Sequence, residues 1–340
     1  MCDSITETGL EAAQQRLLQY DGSVLPAVPP YHNLLAAMLG VGIQILALAM
    51  CMFVLGLGGV FYPFNRGRQL VALVAFYALT AGIAGYVGGL HYRRLGGTDW
   101  APNARLCSAV LGAPFLAVFT CLNTIAATYR STAAVPFSAL SSLGLGWALV
   151  AFPLTMLGGF AARNARVEPL AGAGVGSSRA AKPSSDGSYR LWPCHHTTLL
   201  RAAMAGALLF WAVHIELWYL LASVWGLNLY ALYTPLLAVF VLLVLNTALV
   251  TAACTLLDLQ RLGVEDPGWW WNSFLCGGST GIYVCGYCCY FFARSSMRGL
   301  LQTAFFLGYS AVACWALFLV LGAVGAHASL LVVRRTVALR

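Results

Sequence analysis

The stretch LWYLLASVWGLNLYALYTPLLAVFVLLVLNTALVTAACTLL, residues 217–257, contains no charged residue. A helix needs about 20 apolar residues to cross the hydrocarbon core of a bilayer, so this stretch is long enough for two crossings. Uncharged runs also occupy residues 69–90, 106–129 and 131–162. Runs of this length are typical of membrane helices rather than of the core of a water-soluble protein.

The composition agrees with these runs. Hydrophobic residues make up 60% of the 340-residue chain and charged residues only 9%, whereas a soluble protein has about 25% charged residues. The sequence therefore predicts an all-α, polytopic helical membrane protein with about eight transmembrane helices. The predicted spans are Leu34–Phe61, Leu70–Leu90, Leu106–Ala127, Phe137–Ala161, Leu199–Val224, Tyr230–Leu256, Ser273–Phe292 and Leu301–Val332.

The net charge of +8 is the difference between 19 basic and 11 acidic residues, and the basic residues lie between the apolar runs rather than in one patch. This distribution favours topology signals over nucleic-acid binding. Eight spans place both termini on one side of the membrane. If that side is the cytosol, the cytosolic segments hold fourteen of the basic residues and the opposite side five. The positive-inside rule therefore predicts cytosolic termini.

The same layout predicts the domain organisation. Residues 1–33 form a cytosolic N-terminal segment, residues 34–335 an eight-span transmembrane domain, and residues 336–340 a cytosolic tail. One connection is long, and it contains AGAGVGSSRAAKPSSDGS. Because Gly, Ser and Ala dominate it, we expect a flexible cytosolic loop over residues 163–198.

Three consecutive tryptophans stand in the segment EDPGWWWNSF, residues 265–274. An indole has an apolar body and one N–H group, which suits the boundary between water and lipid. We therefore expect Trp269, Trp270 and Trp271 to act as an interfacial anchor at the start of the seventh span.

Glu216 is the only acid inside any predicted span. A carboxylate within the bilayer is unfavourable, so we expect Glu216 to face the interior of the bundle and to form a polar site with His214, Tyr219 and Asn246. Two interpretations stay open. Glu216 is either a hydrogen-bonded structural acid or a group that senses protons or cargo.

Small residues form stripes along the second and seventh spans. Such stripes allow two helix backbones to approach closely, either within the bundle or against a foreign transmembrane helix. The candidate packing or cargo-binding residues are Gly82, Gly85, Gly88, Gly277 and Gly281.

Other motifs give weaker signals. GGSTG around Ser279, with His327 on the next span, matches the G-x-S-x-G pattern of serine hydrolases, but it lies within a predicted helix instead of a strand-to-helix turn. Two clusters contain possible metal ligands: PCHH, with Cys194, His195 and His196, and CGYCC, residues 285–289. Neither supplies the paired ligand sets of a closed zinc site. We predict no catalytic residue, no cofactor and no metal site.

Several segments along the chain resemble the nonaspanins, the transmembrane nine superfamily. They include GVGIQIL (40–46), PFNRG (63–67), FPLTMLGGF (152–160), HIELWYLLASVW (214–225), EDPGWWWNSF (265–274) and FFLGYS (305–310). The resemblance covers the membrane block, without the lumenal N-terminal domain and first span that usually precede it. It implies cytosolic ends, Golgi or endosomal membranes, and a non-enzymatic role in helping other membrane proteins reach their membranes.

Two functions follow as hypotheses. The first is a sorting factor whose helix surface packs against the transmembrane segments of cargo proteins, with the lipid bilayer as its other partner. The second is a secondary transporter or channel that uses Glu216 as an intramembrane polar site.

Overall fold

The computed structural model describes residues 28–29, 31–60, 66–131, 134–165, 196–226, 233–262, 268–295 and 299–338. In these ranges all regular secondary structure is helical, which confirms the predicted fold class. The elements are α1 His32–Leu57, α2 Arg66–Arg94, α3 Trp100–Thr128, α4 Phe137–Gly146, a π-helical segment Trp147–Ala151, α5 Phe152–Asn164, α6 His196–Gly226, α7 Tyr233–Leu262, α8 Gly268–Arg294 and α9 Leu300–Ala338. The N-terminal segment before residue 28 and most of the predicted loop 163–198 lie outside the described residues.

Seven helical rods in the described part of the chain are long and apolar enough to cross a membrane; α4, the π-helical segment and α5 count as one. The predicted seventh span is also a helix, α8, which is not among these seven. Many of its small and polar residues, such as Ser273, Gly277 and Thr280, are buried. Because α8 packs against α6, α7 and α9, much of its surface never meets lipid.

The bundle has two halves, α1–α5 and α6–α9. In the first half, α2 packs against both α1 and α5; in the second, α8 packs against both α6 and α9. The two halves meet mainly along α1 and α9. Gly42 lies at this seam, where an added Cβ would meet the Leu319 backbone and Ala323. The close approach places Leu39, Leu319 and Ala323 in the core, each at most 1% exposed.

Two prolines interrupt the helical hydrogen bonding. Pro114 lies inside α3 and has no N–H to donate to the carbonyl of Val110, four residues earlier. Pro153 lies just after the π-helical segment, which widens the helix where the carbonyl of Leu149 loses its donor. The sequence predicted one span over Phe137–Ala161, and the structure shows that this rod continues to Asn164.

Candidate functional site

Glu216 lies in α6, ten residues before the end of that helix at Gly226. Its side chain is exposed, so the expectation that it faces the bundle interior was wrong. The face that α6 buries consists of small and aliphatic residues such as Ala205, Leu209 and Val213, and this face offers a carboxyl group no polar partner.

The other members of the predicted polar site are separated from Glu216. His214 lies on another side of α6, and its Nδ1 is 2.8 Å from the carbonyl oxygen of Trp211. Tyr219 is 63% exposed and lies one turn beyond Glu216, while Asn246 of α7 is half-buried. Among the described residues, no hydrogen bond joins any two of these four side chains. The structure therefore groups Glu216 with Tyr219 alone, by position on one helix face.

Threonines that the sequence places on the span after Glu216 are engaged within the bundle. The hydroxyls of Thr247 and Thr251 donate to carbonyls one turn earlier in α7, at 2.7 and 2.6 Å. Thr255 donates to the carbonyl of Thr251 at 2.9 Å and also contacts the Ser329 hydroxyl of α9 at 2.6 Å. These polar groups form a buried seam between α7 and α9 rather than a site around Glu216.

A second acid lies near the end of α7. The sequence places Asp258 two residues beyond the predicted sixth span, and α7 continues past it to Leu262. Asp258 is buried and forms an ion pair with Arg201 of α6. Its charge is therefore compensated by the bundle itself. Glu216 differs from Asp258 because no basic side chain in the described ranges pairs with it.

Ser279 and His327 do not form the pair that a serine protease needs. The Ser279 hydroxyl donates to the carbonyls of Ala202 in α6 and Cys276 in its own helix, at 2.8 and 3.0 Å. Nε2 of His327 lies 3.0 Å from Nε2 of His91, on α2. Each side chain is thus committed to a contact between helices.

The His91–His327 contact was not predicted, although the sequence shows both histidines near the ends of apolar runs. Nδ1 of His327 lies 2.7 Å from the carbonyl oxygen of Ala323, so this nitrogen carries the proton and donates. Its Nε2 is then the acceptor in a neutral ring, and His91 donates to it. His91 is only 3% exposed. The pair links the two halves of the bundle through a buried hydrogen bond.

The five glycines of the predicted stripes lie against helices of this chain. A Cβ added to Gly82 would lie 3.5 Å from Leu154, and one added to Gly85 would lie 2.9 Å from the Thr155 carbonyl carbon, both in α5. The remaining three glycines show the same pattern. Their nearest neighbours are Cys107 for Gly88, Leu321 for Gly277, and Phe318 with Cys314 for Gly281. These surfaces are therefore used for packing within the bundle.

Two of the three tryptophans are buried, which corrects their predicted role as an interfacial anchor. Trp269 and Trp270 are 4% and 2% exposed and stack on each other with ring centroids 4.1 Å apart. They belong to the core cluster that includes Leu330 and Val333 of α9. The start of α8 packs against α9, so these indoles fill space between helices; Trp271 is half-buried.

The cysteine and histidine clusters have separate outcomes. Cys194 and His195 lie outside the described residues. Cys288 of α8 is buried whereas Cys289 is exposed, so CGYCC does not direct its thiols to one point. Within the described ranges, no three His, Cys, Asp or Glu side chains are grouped so that they could hold a metal ion.

Comparisons with known proteins give the family. The family model described as Endomembrane protein 70 matches residues 22–300. The chain is 46% identical over 307 residues to transmembrane 9 superfamily member 4 of Arabidopsis thaliana, which covers 90% of this chain and 50% of the relative. It is 36% identical over 308 residues to transmembrane 9 superfamily member 1 of Mus musculus, with coverage of 90% and 49%.

The chain thus spans about half the length of these relatives. No solved structure matches it. The family model and the relatives indicate the same family, which is also the one that the sequence segments resemble. The chain belongs to the Endomembrane protein 70 family, the transmembrane 9 superfamily.

Proposed function

We propose that this chain is the membrane block of a sorting factor that helps other membrane proteins reach their membranes in the Golgi–endosomal system. The proposal rests on the observation that the interior of the bundle is filled by contacts between its own helices. The stripe glycines contact neighbouring helices, and polar side chains such as Ser279, Thr255 and His327 bond between helices. What remains for another molecule is the outer, apolar surface of the helices, which suits a transmembrane partner.

Two further observations support the location and the orientation. The name of the family, Endomembrane protein 70, favours internal membranes over the cell surface. The excess of basic residues on one side supports cytosolic termini, provided that α8 crosses the membrane together with the other seven rods. On this layout the connection between α5 and α6 is cytosolic.

The structure gives less support to a transporter or channel. Such a protein would need Glu216 in an interior polar site near the middle of the membrane. Instead, Glu216 is exposed on α6, and the threonines of the next helix, Thr247 and Thr251, donate to carbonyls of their own helix. The acid is better placed to meet a neighbouring molecule than to line a path through this bundle.

The proposal is tested by removing the protein from cells and quantifying membrane proteins at the cell surface and in Golgi and endosomal fractions. We expect a subset of membrane proteins to shift from the surface to internal membranes, and to return when the full-length chain is supplied again. An unchanged distribution of membrane proteins would rule out the sorting role.

A further inference from the structure

One face of α6 carries an acid within an otherwise uncharged surface. It consists of Leu208, Ala212, Ile215, Glu216 and Tyr219, which follow the i, i+4, i+7, i+8, i+11 spacing of a single helical face. All five are exposed, with Leu208 at 62%, Ile215 at 56% and Tyr219 at 63%. We call this surface the α6 outer face.

Lipid alone is a poor partner for this face. An ionised carboxylate in hydrocarbon is unfavourable, and acids within membranes therefore pair with cations or donors. Elsewhere in the bundle, the buried acid Asp258 pairs with Arg201. The bundle supplies no such cation to Glu216 within the described residues. By contrast, the exposed side of α7, from Val241 to Leu249, is uncharged and suits lipid.

From this charge and its position we infer that the α6 outer face docks a transmembrane helix that carries a lysine or arginine side chain at the depth of Glu216. The inference rests on the proposed sorting function and names the surface and the partner for it. The apolar residues of the face would pack against the incoming helix. Glu216 would accept hydrogen bonds from its basic group, and these bonds strengthen where water is excluded.

The test uses the full-length chain in phosphatidylcholine vesicles, with a photo-crosslinking amino acid in place of Ala212, one turn from Glu216. The probes are two synthetic helices of about 23 Leu and Ala residues, one with a central lysine and one with leucine in its place. A matched control places the crosslinker at Leu249, which is 69% exposed on the uncharged side of α7.

We expect the Ala212 position to capture the lysine helix roughly tenfold better than the leucine helix, the effect of one interhelical polar contact. The preference should vanish in Glu216→Gln, persist in Glu216→Asp, and be absent at Leu249. A Glu216→Lys chain should in turn prefer a probe with a central glutamate, which keeps the test valid if Glu216→Gln folds poorly. Equal capture of both probes, or adducts only with lipid or with a second copy of the chain, would overturn the inference.

These outcomes are separable from those of the cellular test. A chain without selectivity for the lysine helix could still redistribute membrane proteins in cells, in which case only the docking assignment fails. A chain that captures the lysine helix but leaves cellular distributions unchanged would keep its docking face and lose its proposed function.

Discussion

The indole N–H of Trp315 donates to the carbonyl of Val110 over 3.1 Å, the same carbonyl that Pro114 leaves without a helical donor. The break in α3 is therefore repaired by a side chain from α9. This contact and the His91–His327 hydrogen bond link the two halves through polar atoms, whereas the seam between α1 and α9 is mainly apolar.

Replacing Trp315 with phenylalanine should remove the donor and keep most of the ring packing. We expect a loss of about 1–2 kcal/mol in the free energy of unfolding, because the Val110 carbonyl is left half-buried without a partner. Thermal unfolding of the purified protein in detergent measures this loss. The matched background is Pro114→Ala, which returns an N–H to the helix. In the Pro114→Ala chain, Trp315→Phe should lower the free energy of unfolding by less than it does in the wild-type chain. An equal loss in both chains would show that Trp315 does not replace the hydrogen bond that Pro114 removes.

The histidine pair makes a prediction about coupling. His91→Ala and His327→Ala each remove the same hydrogen bond, so the double variant should be less destabilised than the sum of the two single variants. The expected difference is about 0.5–3 kcal/mol, the range for residues in direct contact. Denaturant or thermal unfolding of the four proteins gives this value. Strictly additive effects would mean that the two rings do not cooperate in joining the halves.

The glycine stripes should respond to substitution through folding. A Cβ at Gly85 would lie 2.9 Å from the Thr155 backbone, and one at Gly281 would lie 2.9 Å from the Phe318 backbone. Because backbone cannot yield easily, Gly85→Ala and Gly281→Ala should each destabilise by about 1–3 kcal/mol. Gly286, which has open space around its Cβ position, provides the control, and Gly286→Ala should be neutral. Size-exclusion profiles of the detergent-extracted variants distinguish these outcomes. Normal folding of Gly85→Ala and Gly281→Ala would contradict the close packing of these two glycines against neighbouring helices.

The orientation predicts where proteases can cut. A protease site inserted near residue 180, in the connection between α5 and α6, should be cleaved from the cytosolic side of sealed membranes. A site in the connection between α8 and α9 should be protected until detergent is added, because α8 crosses the membrane in this layout. Cleavage of that second site in sealed membranes would show that α8 does not cross, and protection of the first site would invert the whole topology.

The sequence predicted the helices well because hydrophobic length alone determines where a chain can cross a bilayer. The predicted span Leu34–Phe61 corresponds to His32–Leu57, and Leu301–Val332 corresponds to α9. The family resemblance was carried by specific segments, such as EDPGWWWNSF and FFLGYS, which lie along nearly the whole chain.

The sequence could not predict which face of each helix meets another helix. Tryptophan is the residue type typical of an interfacial anchor, yet the packing of α8 against α9 buries both Trp269 and Trp270. Glu216 should face inward on energetic grounds alone, yet the buried face of α6 is made of small and aliphatic residues. The pairing of His91 with His327 joins residues 236 positions apart, and no local pattern encodes such a contact.

The central claim is that the exposed carboxyl group of α6 serves membrane-protein sorting. Its most direct test is to resupply cells that lack the protein with wild type, Glu216→Asp or Glu216→Gln at matched levels. The measurement is the surface arrival of membrane proteins that carry a lysine or arginine within a transmembrane helix. The account predicts recovery with wild type and with Glu216→Asp, and no recovery with Glu216→Gln. Full recovery with Glu216→Gln would contradict it.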